Sequence, residues 1–373
     1  MPFLSPTFPE SRFPAFVLMG AMIVLVLLWR LCYAAFFIHP ILTKKAIVIG
    51  AGYTGREIVR TLLHNPAIYH NTGYKIYGYI DDDELKQGKI YDELKVLGNG
   101  NDLFKYARRL DIDEIIMAIP EQEHLSPALH RALIDCENAG IVVEHATKIY
   151  EEQTGKVMIK IKANEYHLTN PYSIVHKDNF YAFFNRVINI SCALVAGGFF
   201  LLVLPFVWLG NLFFSRGPLF YTQERVGENN KIFHIIKFRT MIVDAEKNSG
   251  PQFAQKSDPR ITKVGNILRK TRLDEFPQFW NILRGDINLI GQRHERQYFV
   301  DELSKQIPFF KLRNAVKPGL TGWAQVKHHY ASDFDDTLIK LQYDLYYIKH
   351  RSLLLDFMII FKTIAVMVKF KGT

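Results

Sequence analysis

Apolar positions fall along this chain in three patterns. Two long runs are apolar almost throughout, Phe13 to Ile38 and Val187 to Phe214. Between them, short apolar runs of strand length alternate with stretches of helical spacing. The last part mixes charged clusters with helical apolar spacing and closes on another apolar stretch, Leu353 to Phe370.

The first run, interrupted by Arg30, is long enough to cross a bilayer. Met1 to Arg12 carries one acid and one base, so it lacks a basic n-region, and no clear small-residue cleavage site is present. The run is therefore read as a transmembrane helix within residues 1–43 rather than a signal peptide. Arg30, Lys44 and Lys45 lie at or beyond its end, and positive-inside bias places the downstream chain in the cytoplasm.

Lys45 to Ile49 reads KAIVI, a short buried strand, and runs into Gly50-Ala51-Gly52-Tyr53-Thr54-Gly55 before a helical stretch, Arg56 to His64. Strand, glycine turn and helix in this order suit a phosphate facing backbone amides, with Gly50, Gly52 and Gly55 as the candidate cofactor-binding positions. A second strand, Lys75 to Ile80, ends in Asp81-Asp82-Asp83, where an acid often holds a ribose. Strands at Glu114 to Ile119 and Ile141 to Glu144 alternate with helices at Asp102 to Leu110 and Ser126 to Ala139. The pattern predicts an α/β, Rossmann-like domain over residues 44–146, built on a doubly wound parallel sheet. Whether it senses a nucleotide or serves only as structure stays open, since a GxGxxG by itself is weak and fold does not imply function. Tyr91-Asp-Glu-Leu-Lys95 has the spelling of a dehydrogenase Tyr-x-x-x-Lys pair but falls too early, soon after the second strand.

Residues 147–179 read as a connector with a strand-like run, Lys156 to Ile161. The second long run, Val187 to Phe214, contains Pro205 and has basic residues on both sides: Lys177 and Arg186 before, Arg216 and Arg225 after. Both flanks want the cytoplasmic side. A re-entrant helix that breaks near Pro205 and returns satisfies both, whereas a straight span would not.

Composition sharpens this picture. The chain has 373 residues, enough for two or three domains, with 49% hydrophobic and 13% aromatic content and a formal net charge of +9. A basic, aromatic-rich chain suits nucleic acid or anionic lipid. Here the basic residues alternate with membrane signals rather than forming a nucleic-acid module, so membrane lipid is the expected partner and nucleic acid is not. The three cysteines, Cys32, Cys136 and Cys192, have no metal spacing and imply no disulfide framework.

The chemistry concentrates in Arg269 to Asp286, RKTRLDEFPQFWNILRGD. Leu273, Phe276, Trp280 and Leu283 predict an apolar helical stripe, and Pro277 should end or bend that helix just after Asp274 and Glu275. Arg269, Lys270, Arg272 and Arg284 surround the two acids. The bland reading is a solvated surface helix; the sharper one is a site that holds a divalent cation and phosphates together.

The surrounding motifs favour the sharper reading. They are, in order, FYTQERVG (Phe220–Gly227), KFRTM (Lys237–Met241), SDPRIT (Ser257–Thr262), the acid pair, LIGQRHE (Leu289–Glu295) and VKPGLTGWAQV (Val316–Val326). Coming after a membrane hairpin, this series resembles the bacterial sugar transferases, polyprenyl-phosphate glycosyl-1-phosphate transferases with one membrane hairpin. The resemblance runs from about Phe180 to the C-terminus and makes residues 180–373 the transferase domain, mainly helical, with a re-entrant helix at about 187–214. The upstream part resembles the longer members, which usually carry several membrane helices where one is counted here.

The resemblance implies transfer of a sugar-1-phosphate from a UDP-sugar to undecaprenyl phosphate, with release of UMP, at the bacterial inner membrane. It implies Asp274 as the nucleophile of a covalent aspartyl sugar-phosphate, Glu275 as the ligand of Mg²⁺, and a homodimer as an admissible assembly. Lys237, Arg239, Arg260, Arg269, Arg272 and Arg293 are the candidate phosphate ligands, Arg260 and Arg293 foremost because both lie inside matched motifs. Such chemistry brings anion to anion, which is why cations must surround the carboxylates.

One departure stands out. The family commonly has Gly-Pro-Arg-Pro-Glu where this chain has Gly291-Gln292-Arg293-His294-Glu295, so a less rigid loop is expected. His294 reads as a filler of a proline site or as a base. Trp323 stacks on a base, lies at headgroup level or packs in a core. The C-terminal stretch holds Asp356, Lys362 and Lys369, which predicts a helix lying in the membrane interface rather than a span. The rival readings are a nucleotide-sugar dehydratase or epimerase and a non-catalytic, nucleotide-sensing membrane scaffold.

Overall fold

The computed structural model describes residues 13–37, 43–64, 73–119, 125–162, 165–168, 179–243, 245, 258–328 and 334–368. Lys177, Ser257, Lys369, Phe370, the connector residues 163–164 and 169–178 and the side chain of Cys32 lie outside these. The chain divides into two compact units, Met1–Ile149 and Tyr150–Thr373.

The first unit begins with helix α1 (Phe13–Phe37), whose side chains from Phe16 to Trp29 are exposed and apolar. After it comes a six-stranded sheet in the order β3-β4-β2-β1-β5-β6. Its strands are β1 (Lys44–Ile49), β2 (Tyr74–Ile80), β3 (Ile90–Tyr91), β4 (Leu94–Gly98), β5 (Glu114–Met117) and β6 (Val142–His145). All pairs are parallel except the β3–β4 hairpin. Helices α2 (Tyr53–His64), α3 (Leu103–Arg109) and α4 (Pro127–Asn138) connect the strands. Ser126 caps α4 by accepting from the Leu129 amide, and Pro127 takes the first turn, where no backbone donor is needed. The core is aliphatic: Ile47 and Ile49 of β1, Ile80, Ile115, Leu103, Leu129 and Leu133. Tyr91 and Lys95 stand on opposite strands of the hairpin, so their dehydrogenase-like spacing is coincidental.

In this sheet the β1–α2 turn needs Gly50 and Gly55, whereas Gly52 has open space where a side chain would go. Gly50 has φ +94°, and a Cβ on Gly55 would lie 1.9 Å from the Gly50 carbonyl oxygen.

Helix α5 (Ala146–Thr154) turns part of the expected connector into regular structure, and the hairpin β7 (Ile159–Lys162)–β8 (Glu165–Leu168) comes next. The second unit is built along α6 (Asn179–Phe214), a helix of 36 residues, about 54 Å at 1.5 Å per residue. The expected break at Pro205 is corrected: α6 runs through it without interruption. Pro205 sits on the exposed face, so the single missing i→i−4 bond is accommodated and helical geometry resumes.

Tyr181, Asn185, Asn189, Ala193, Gly197, Phe200 and Val207 form the buried stripe of α6. Its later part packs against the hairpin β9 (Phe220–Val226)–β10 (Ile232–Phe238), on whose Phe220 and Phe238 Phe200 stacks, and against helix α7 (Lys263–Lys270), a 3₁₀ turn (Leu273–Gln278) and α8 (Phe279–Arg284). The opposite face exposes Phe183, Leu194, Val195, Leu201, Leu202, Phe206 and Phe213. The rest comprises β11 (Asn288–Ile290), α9 (Gln297–Gln306), a 3₁₀ turn (Phe310–Ala315), β12 (Gly319–Thr321), α10 (Trp323–Lys327), α11 (Phe334–Lys349) and α12 (Leu353–Val368).

Polar groups fasten α12 to α6. Asp356 is buried and accepts from Tyr181 Oη (2.9 Å), Asn185 Nδ2 (3.1 Å) and Tyr347 Oη (2.9 Å). Trp323 belongs to the core, stacked on Tyr346, with its indole N–H donated to the Gly155 carbonyl at 2.9 Å. Core packing is therefore the reading that holds for it.

Asp356→Ala would strand three buried donors. It should lower unfolding stability by about 3 kcal/mol or more, read as thermal unfolding in detergent, and release α12 to limited proteolysis.

Candidate functional site

The acids do not lie on a continuous α-helix. Helix α7 ends at Lys270, and Arg272 adopts a left-handed conformation with φ +60°. The chain then tightens into the 3₁₀ turn Leu273–Gln278, which carries Asp274, Glu275 and Pro277, before α8 begins. A left-handed arginine is a strained backbone state that its surroundings must hold, and such states cluster at functional sites. Of the expected stripe, Leu273, Phe276 and Leu283 pack inward, whereas Trp280 is 51% exposed. Three-residue-per-turn geometry shifts each side chain from its α-helical bearing, which explains the difference.

The turn is wedged between α6 and β10. Phe276 meets Phe199, and Phe279 meets Phe200 and the bare backbone of Gly197. Buried Asn281 ties α8 to β10, donating to the His234 carbonyl (2.8 Å) and accepting from the Ile236 amide (3.1 Å). This fixes the strand immediately before Lys237. At the other end of α8, Arg186 of α6 donates to the carbonyls of Ile282 (2.8 Å) and Leu283 (2.7 Å), a cation at a helix C-terminus.

Lys237 reaches Glu275 at 3.3 Å, and Arg272 lies 3.9 Å from the same carboxylate. Burial would raise Glu275, but Lys237, Arg293 and Arg272 outweigh it and hold the group below its ordinary value. Asp274 goes the other way. Burial and the neighbouring Glu275 push it up to about 6, against the pull of Lys237, Arg269 and Arg272. Two adjacent carboxylates thus separate in basicity, as paired acids at working sites do.

The candidate cations fall into two groups. Lys237, Arg272 and Arg293 act on Glu275. Among the described residues, the guanidiniums of Arg272 and Arg293 make no hydrogen bond to the protein, and of these two Arg293 also has no ion pair within 4 Å. Arg239 is spent on structure: it donates to Pro218 O (2.6 Å), Met241 O (2.9 Å), Asn211 Oδ1 (2.8 Å) and the Ser215 carbonyl, stapling the end of α6 to the segment after β10. Arg260 is paired with Asp258 at 2.6 Å and bonded to the Ala245 carbonyl, so the geometry does not leave it open as expected. Arg269 donates to Thr240 Oγ1 at 2.9 Å.

Sequence reasoning leaves Arg225 unassigned, although its motif stands out. Its guanidinium is buried, with Nη2 on Gln223 and Nη1 on the His294 carbonyl, while Nε has no partner; burial lowers it to about 10. Arg313 and Asp344 also escape a sequence reading. Arg313 donates to Asp344 at 2.7 Å and to the Arg293 carbonyl at 3.0 Å, so this buried pair fixes the backbone that presents Arg293.

The Gly291–Glu295 loop is pinned without its prolines. Gln292 donates to the Val316 carbonyl (2.9 Å), Gly319 N to Gln292 O (2.9 Å), and Gly291 N to Thr321 O (2.9 Å). Hydrogen bonds supply the order that proline rings would give. His294 is buried edge-on to Phe233, and burial together with Lys237, Arg225 and Arg293 holds it well below its ordinary value. A neutral filler is what those surroundings permit.

In the first unit the glycine turn is engaged internally. Asp81 accepts from the Ala51 amide (2.7 Å), the Asp83 amide (2.9 Å) and Lys86 Nζ (3.0 Å). Asp82 accepts from the Gly100 amide (2.7 Å) and Ser126 Oγ (2.6 Å). A ribose at Asp81 would have to displace those bonds.

The profile of the bacterial sugar transferases matches residues 180–370, just over half of the chain. The chain belongs to the bacterial sugar transferase family. A second profile, for a CoA-binding domain, matches residues 11–144. Among curated relatives, the UDP-N-acetylgalactosamine-undecaprenyl-phosphate N-acetylgalactosaminephosphotransferase of Aeromonas hydrophila is 44% identical over 253 residues, covering 67% of this chain and 58% of that protein. The UDP-glucose:undecaprenyl-phosphate glucose-1-phosphate transferase of Xanthomonas campestris pv. campestris is 29% identical over 336 residues, covering 86% of this chain and 66% of that protein. An Escherichia coli K12 protein of the same name is 40% identical over 162 residues, 42% of this chain and 33% of its own. The chain thus spans 58% and 66% of the length of the first two relatives.

The dyad's strain is measurable. Asp274 has a higher proton affinity folded than unfolded, so its ionised form opposes folding near pH 7, and that cost fades as pH falls through 6 towards the unfolded value. In metal-free buffer, Asp274→Asn should be more stable than wild type by up to about 2 kcal/mol at pH 7, and the gap should narrow below about pH 6 and close below about pH 4 in thermal unfolding.

Proposed function

We propose that this protein transfers a sugar-1-phosphate from a UDP-sugar to undecaprenyl phosphate, releasing UMP, as a first membrane step of surface polysaccharide synthesis. The observation that carries the reading is the dyad itself: Asp274 and Glu275 on one tight turn, one raised and one lowered, with Lys237 bonded to Glu275 and the charges of Arg293 and Arg272 acting on it. Family membership and the activities of the relatives support the same reaction.

Asp274 is the nucleophile. Its carboxylate oxygen bonds to the sugar-bearing phosphorus as the P–O bond to UMP breaks and UMP leaves with the electron pair. An oxygen of the lipid phosphate then attacks that phosphorus, the Asp274–phosphorus bond breaks, and the carboxylate is restored. The C1–O bond of the sugar is untouched in both steps, so its anomeric configuration is retained. Arg293, Arg225 and Lys237 hold the diphosphate; Arg239, Arg260 and Arg269 keep the site in shape.

Among the described residues no cluster of three metal-ligating side chains exists. Mg²⁺ does not need such a cluster, since it takes one or two carboxylates and completes its shell with substrate phosphates and water. Glu275, with Asp274 beside it, would hold the ion, which would supply charge neutralisation at the diphosphate.

The same unit packs along α6 from Tyr181 to Asn211. A bilayer-crossing helix could not also be lined by this domain over its length. We read α6 as immersed in one leaflet with both ends on the cytoplasmic side, its exposed apolar face towards lipid.

The test is UMP release by the purified chain in detergent with Mg²⁺, undecaprenyl phosphate and a panel of UDP-sugars. Asp274→Ala should abolish release and Arg293→Ala should lower it roughly 10²-fold. Release that survives Asp274→Ala refutes the nucleophile. Silence across the panel by a folded chain favours the scaffold reading.

A further inference from the structure

Two ammonium groups meet at one aromatic ring on the far end of α10. Lys327 Nζ lies 4.7 Å from the centroid of the Trp323 indole and Lys362 Nζ, from α12, lies 5.7 Å from it. Both lysines are exposed, and among the described residues neither has a carboxylate partner. Burial and the charge of Lys362 lower Lys327, so the repulsion between the two is unrelieved. Cation–π contact holds each ammonium in place but neutralises neither. Trp323 is locked by its Gly155 bond and its stack on Tyr346, and the Thr321–Thr363 hydroxyl contact (2.9 Å) fixes α12 against β12, so the pair is presented on a rigid base.

Beside this charge lies an apolar surface. Leu354, Phe357, Met358, Phe361 and Ile364 recur at helical spacing and are exposed, Phe361 by 70%. Through Asp356, α12 is tied to the start of α6, where Phe180 and Phe183 are exposed too. A paired positive charge next to an uncovered apolar helix face matches a ligand with an anionic head and a hydrocarbon tail.

We propose that Lys327 and Lys362, converging on Trp323, bind the phosphate headgroup of an anionic membrane lipid whose tail lies along the exposed face of α12. The site is separate from the Asp274–Glu275 turn. It rests on the membrane reading of this unit but not on the transferase chemistry.

Native mass spectrometry of the full chain in neutral detergent tests it. With phosphatidylglycerol added, wild type should retain the lipid roughly thirtyfold more tightly than the Lys327→Gln/Lys362→Gln variant, and Lys327→Arg/Lys362→Arg should retain it like wild type. Phosphatidylcholine should not substitute. Undecaprenyl phosphate as competitor separates the two lipid sources: weak displacement supports the phospholipid proposed here, and displacement by an equimolar amount would overturn it in favour of the acceptor lipid. Equal retention by the Gln variant, equal retention of phosphatidylcholine, or displacement by the same concentration of inorganic phosphate would overturn the proposal. A wild-type chain that retains the lipid but releases no UMP would leave this site standing and refute only the transferase reading.

Discussion

Two carboxylates side by side on a half-buried turn repel each other, and the second unit is arranged around relieving that repulsion unequally. Lys237 and Arg272 lean on Glu275, while Asp274 is left with burial and a charged neighbour. A symmetric solution would hold both acids ionised and quiet. The asymmetric one leaves Asp274 as the more basic carboxylate and so the better nucleophile, beside a carboxylate that stays charged. The left-handed Arg272 and the 3₁₀ turn that follows it set where the acids fall, with Glu275 within reach of both Lys237 and Arg272.

Positive charge in the same place is supplied in excess. Burial lowers Arg225, Lys237 and His294, and the charge of Arg293 pushes all three the same way. Buried charge of one sign is costly to maintain, and Asp344, Arg313, Gln292 and Asn281 hold the backbones that present it. A diphosphate would complete the balance. The apolar helix α6 forms the other wall through Gly197, Phe199 and Phe200.

Much of this is legible in the residues alone. The parallel sheet follows from β-length apolar runs around a glycine turn, and the dyad from adjacent acids among arginines. The 3₁₀ turn is not legible, because apolar spacing over so few residues fits both helix types. Pro205 invites over-reading: proline costs one hydrogen bond, and a helix packed along its whole length absorbs that. Arg239 and Arg260 look like phosphate ligands because motif membership does not reveal that carbonyls and Asp258 already hold them. Arg313 and Asp344 pair across 31 residues of sequence, a relation no local pattern contains. The short hairpin β3–β4 escapes because two-residue strands carry no periodicity.

The central claim is that Asp274 carries the sugar phosphate covalently. The most direct measurement is intact-protein and peptide mass spectrometry after mixing the chain with Mg²⁺ and UDP-sugars in the absence of lipid acceptor. The account predicts a mass increase of one sugar-phosphate on the peptide containing Asp274, removed when undecaprenyl phosphate is added. An adduct on another residue, or turnover of UDP-sugar to UMP and lipid product with no adduct trapped before lipid is supplied, would contradict it.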